Sequence, residues 1–170
     1  MTMATDLYDL TVPSLLRGLS AMSAFLAKAE GWAAETGTDP GDLLTARLYP
    51  DMAPLSAQIQ RASDSAKGAA VRIGGIENVA MADEEVTFAD LQARIARTVA
   101  FLEAVPADAM NGQEARPVTL VTPGRSVAFT GIGFALEFVL PNFYFHLTTA
   151  YAILRMKGVP LGKLDYLGAA

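Results

Sequence analysis

The only histidine among 170 residues, His146, sits in "LPNFYFHLTTAYAILRMKGV", residues 140 to 159. An imidazole is the one unperturbed side chain that titrates near neutrality, so acid–base chemistry or metal ligation by a ring nitrogen would have to pass through it. Asn142 stands four residues earlier and Thr149 three later, which on a helix makes a short polar row on an apolar face. One reading of that row is a pocket wall in which a neutral imidazole binds a metal or moves a proton. The other is a buried histidine satisfied by a neighbouring amide or hydroxyl.

A catalytic metal held by side chains generally needs three protein ligands. With one histidine and no cysteine, the others would be carboxylates such as Asp51 or Asp64, thirteen residues apart and therefore on different faces of their helix. Glu137 lies nine residues from His146, a rotation of about 180°, and points away from it. No cofactor is expected, a divalent metal in a mixed carboxylate site being the one conceivable exception. Asp64 and Lys67, three apart on one face, are expected to be a solvated pair, with an inward-facing ion pair or ligand contact as the alternative. The serines have no nucleophile-elbow context and the glycine pairs no phosphate-loop spacing.

Pro141 adds a structural reason to look here. It removes a backbone donor and presses on the carbonyl of Glu137, so a kink is expected, and kinks re-aim side chains. The ligand-pocket candidates are His146, Asn142, Tyr144, Tyr151, Asp64 and Lys67.

Composition bounds what such a site could serve. A hydrophobic fraction of 52% and a formal charge of -5 point to one folded, mildly acidic domain over residues 1–170. The 13 basic residues are scattered without a stripe, which argues against nucleic acid. The absence of cysteine excludes disulfides and thiolate chemistry. The start, MTMATDLYDL, does not read as a signal peptide, and a cytoplasmic location is the default. Phe138 to Leu154 carries no formal charge, but at about 1.5 Å per residue it only just reaches across a ~30 Å bilayer core. Interrupted by Pro141, Asn142 and His146, it reads as a buried helix, and no membrane association is expected.

The elements that must position these residues follow from periodicity. Val12, Leu15, Leu19, Met22, Leu26 and Ala33 draw one helical stripe, with Pro13 expected in its first turn. A short turn is expected near Leu43 to Leu48, and a second long helix through Met52, Leu55, Ile59, Ala66 and Ile73, capped by Asp51. Thr87 and Asp90 read as the cap of a third, with Phe88, Leu91, Ile95 and Leu102 inside. From Arg116 the period falls to two across Pro123-Gly124, which predicts a β-hairpin. A fourth helix, Gly131 to Lys157, and an extended tail complete the chain. The fold class expected is all-α, an antiparallel four-helix bundle with a small β-hairpin between helices three and four.

The stretches "ARLYPDMAPLSAQIQRASDSAKGAAVRIGG", "TFADLQARIARTVAFL" and "FVLPNFYFHLTTAYAILRMKGVPLGKLDYLG" resemble the bacterial family DUF1993, a domain of unknown function. The resemblance implies the fold of the DinB/YfiT-like bundles and often a dimer. Many of those relatives hold a divalent metal through three histidines, and some are metal-dependent thiol transferases or isomerases. Here only His146 offers an imidazole, so the three-histidine site does not carry over. Three functions stay open: a binding protein for a small apolar or amphipathic molecule near Pro141, an altered-site enzyme of the DinB/YfiT type, or a structural homodimer.

Overall fold

The computed structural model describes residues 6–168. Four long helical segments surround one core: α1 (Leu7–Thr36), α3 (Leu55–Arg72), α4 (Phe88–Glu103) and a composite last rod. The short α2 (Pro40–Leu44) follows α1, and α5 (Ala107–Met110) follows α4. The rod opens with α6 (Gly131–Gly133), widens into a π-helical segment (Phe134–Val139) and continues as α7 (Leu140–Met156). Each long helix packs on two neighbours in the order α1, α4, α3, α7 and back to α1, so α1 and α3 face each other across the core. Leu15, Leu19, Met22, Phe25, Ile59, Leu91, Phe143 and Leu147 are fully buried there. Each such side chain contributes about 1.5–3 kcal/mol relative to exposure.

Several starts and stops differ from the sequence expectation, each for a local reason. Helix α1 begins at Leu7, which leaves Pro13 in its second turn. Leu7 and Thr11 extend the buried stripe toward the N-terminus, and the Asn111 side chain accepts from the Tyr8 N–H at 2.9 Å. Helix α3 begins at Leu55 rather than beside Asp51, because Pro54 disfavours helical backbone in the residue before it. The turn near Leu43 is α2, started by Asp39 and Pro40. The tail is not wholly extended: α8 (Lys163–Leu167) starts where Asp165 accepts from the Gly162 N–H. Lys28 pairs with Asp165 at 3.2 Å, and Arg17 donates to the Leu167 carbonyl, so α8 is fastened to α1.

Other expectations match. Thr87 and Asp90 form a reciprocal capping box on α4. The strands β1 (Val118–Thr122) and β2 (Arg125–Phe129) pair antiparallel around Pro123 and Gly124, whose φ of 78° is the conformation a type II turn requires at that position.

The bend anticipated at Pro141 takes a specific form. In the π-helical segment the Leu140 N–H reaches back five residues to Ala135. This wide turn ends just before Pro141 and gives its ring room against the Glu137 carbonyl.

Among the described residues, α1 alone is long and apolar enough to cross a membrane by length and composition, and half of its most apolar window is buried in the protein.

Candidate functional site

Helix α3 presents Arg61, Ser65, Gly68 and Arg72 at successive steps of four, three and four, which places them on one face. Opposite them α7 presents Asn142 and His146. Phe134 and Phe138 from the π-helical segment and Leu120 from β1 close the far end. Together they line a cavity of about 290 Å³, at the small end of the ~300–1,000 Å³ typical of ligand sites. The widened turn before Pro141 supplies the two phenylalanines of its wall, a use consistent with the frequent occurrence of π-turns at functional sites.

His146 is buried, 7% exposed, and its Nδ1 lies 2.8 Å from Gln58 Oε1. The Gln58 amide nitrogen donates to the Ala53 carbonyl at 2.9 Å, so the amide oxygen must face the imidazole and Nδ1 carries the proton. This leaves Nε2 with its lone pair free, without a hydrogen-bond partner among the described residues and with access to the cavity. Burial first, and the nearby Arg61 charge second, push the imidazole down to about 4. The ring is therefore neutral at physiological pH. Asn142 donates to Ser65 Oγ across the helix interface.

The sequence candidates divide. His146, Asn142 and Asp64 share the cavity. Tyr144 turns to α1, where Arg17 donates to its hydroxyl at 3.0 Å. Tyr151 packs edge-on against Phe25 and Tyr166, beside a separate shallow recess. Lys67 lies in an adjoining trough on the other side of Gly68. The expectation of a solvated Asp64–Lys67 pair is corrected: Lys67 is buried, donating to the Val79 carbonyl at 3.0 Å and pairing with Asp64 at 3.3 Å. The third member of the polar row, Thr149, bonds to the Phe145 carbonyl of its own helix.

Arg94 was not among the candidates, yet it is the largest buried polar side chain. Its guanidinium meets Asp64, Asp83 and Glu85, each at 2.9 Å, and the Ala82 carbonyl at 3.1 Å; Nε has no partner. Burial alone would raise the Glu85 carboxyl, but hydrogen bonds from Arg94 and Gln60 outweigh it and hold Glu85 below the usual range. The signal lay in the periodicity: Arg94 follows Leu91 by three and precedes Thr98 by four, on the buried side of α4. Arg61, Ser65 and Arg72 were equally legible as one face of α3, but nothing in the chain marks that face as the one meeting His146.

The donors do not suit the three-histidine metal site of the DinB/YfiT-like relatives. Among the described residues no three histidine or carboxylate side chains are placed to hold a metal ion, and the three carboxylates that do gather, Asp64, Asp83 and Glu85, meet on the Arg94 guanidinium. Asp64, the carboxylate sharing the His146 cavity, is already bound by Arg94 and Lys67.

Comparison with known proteins agrees with the architecture. The family model described as Domain of unknown function (DUF1993) matches residues 7–167. A solved structure of a DinB family member protein from Shewanella denitrificans is 39% identical, with 96% of this chain and 93% of that chain covered and a TM-score of 0.87. No functionally curated protein matches.

Proposed function

Because this chain belongs to the DUF1993 family, with a DinB family member as a structural neighbour, we propose that it is a small-molecule-binding protein built on an antiparallel four-helix bundle. The observation that carries this reading is the convergence of α3, α7, the π-helical segment and β1 on one cavity. Helix α3 supplies charge and a hydroxyl, α7 supplies an amide and a fixed imidazole, and the π-helical segment supplies an aromatic wall. A few fixed polar groups beside apolar surface is the usual make-up of a ligand site.

The state of His146 favours binding over proton-transfer catalysis. A general base is most effective with a pKa near the working pH, and an imidazole held at about 4 is a weak one. It serves better as a hydrogen-bond acceptor in a defined tautomer.

Ligand-observed NMR with a panel of neutral and charged fragments tests the reading, beside a Gly68→Leu variant that fills the cavity. Gly68 suits this purpose because an added Cβ would meet only the far end of the Arg72 side chain, at 3.0 Å. Fragments that bind the natural protein and lose binding in the variant support the proposal. Binding unchanged by the variant would place the ligands elsewhere, and the proposal would fail.

A further inference from the structure

The charges around the cavity are unequal in a way that selects a ligand. Arg61 and Arg72 line it, and among the described residues neither forms an ion pair. The one acid in its wall, Asp64, pairs with Lys67 and shares Arg94 with Asp83 and Glu85, so that cluster sets one surplus negative charge against the two guanidiniums of Arg61 and Arg72. The cavity of this acidic protein, net charge -5, therefore carries uncompensated positive charge.

Arg72 is also held ready. Its guanidinium carbon lies 5.9 Å from the centre of the Phe134 ring. It folds back over Gly68, where any larger residue would crowd its Nη1. A planar guanidinium fixed against a ring presents the fork that binds a carboxylate through two parallel hydrogen bonds. At about 1.5 Å per residue, Gly68 and Arg61 are ~10 Å apart along α3, so the His146 end and the Arg72 end suit the two ends of one small molecule.

We infer that the ligand class is a small organic carboxylate with an apolar body, its carboxylate taken by Arg72 and a hydroxyl or N–H at its other end donating to His146 Nε2. This rests on the binding reading above and names its ligand. The apolar body lies against Phe134, Phe138 and Leu120.

The test compares 4-hydroxybenzoate, its neutral amide 4-hydroxybenzamide, and benzoate by NMR titration of the full chain and of Arg72→Gln and His146→Gln. The expected preference for the acid over the amide is at least about tenfold, the scale of a hydrogen bond to a charged group. Arg72→Gln removes most of that preference by lowering the acid's affinity far more than the amide's; Arg72 is exposed, and circular dichroism checks the fold. His146→Gln narrows the gap between 4-hydroxybenzoate and benzoate. Equal binding of acid and amide, or a preference that survives Arg72→Gln, overturns the carboxylate assignment and leaves cavity binding standing. Failure of all three compounds while neutral fragments bind also overturns it. Failure of every compound and fragment overturns both readings.

Discussion

A neutral imidazole buried against an amide makes the stability of this protein depend on pH. In the unfolded chain His146 titrates at its ordinary value of 6.5, and in the folded chain at about 4. Between those values the unfolded state binds the extra proton, so stability is complete above pH 6.5 and falls as the pH drops toward 4. At pH 4.5 the loss amounts to about 2–3 kcal/mol, at 1.36 kcal/mol per pKa unit. Urea unfolding at pH 7.5 and 4.5 should show that difference in the natural protein and lose it in His146→Gln, since the carboxylates are common to both. Equal pH sensitivity of the two proteins would disprove the buried neutral state. Arg94 makes a second prediction at this scale. Replacing it with Met leaves Glu85, only 11% exposed, without its cation, and stability should fall by roughly 3 kcal/mol. Hydrogen exchange should rise first around Ala82 to Glu85, the loop that Arg94 grips.

Among the elements, α1 and α7 approach closely at Gly18. A Cβ on Gly18 would lie 2.4 Å from Phe143 Cε1 and 2.8 Å from its Cζ, inside a ring that is fully buried. Gly18→Ala should therefore destabilise by about 1–3 kcal/mol through overpacking, although alanine is the better helix former. A gain in thermal midpoint would show that the helices can separate freely. The capping box at Thr87 and Asp90 makes a milder case: Thr87→Ala should cost about 1 kcal/mol, read as a lowered urea midpoint with an unchanged slope.

At the scale of the whole molecule, one continuous core joins all four long helices, which predicts a single cooperative transition. Trp32, at the end of α1, lies beside Gly158 past the end of α7 and reports on the joining of first and last helices. Its fluorescence and the helical circular dichroism signal should change together in urea. Separate midpoints would show that the chain is not a single domain.

The sequence by itself determined the local features: the long amphipathic helices, the capping box at Thr87, the turn at Pro123-Gly124 and the trouble at Pro141. Each depends on side-chain spacing or on backbone preferences expressed within a few residues. The start of α3 is different: Asp51 reads as its cap in the sequence, and the helix begins at Leu55 because of Pro54. What only the tertiary structure decided was which faces meet. Helical periodicity says that Arg61, Ser65 and Arg72 share a side and that Asn142 and His146 share another, but not that α3 and α7 turn those sides toward each other. Nor can it say that Tyr144 and Tyr151, neighbours of His146 in the chain, face α1 and α8 instead. Lys67 and Arg94 show the same limit from the other direction. A charge looks solvated in a sequence, and it is buried here because carboxylates and carbonyls from distant segments arrive to pair with it.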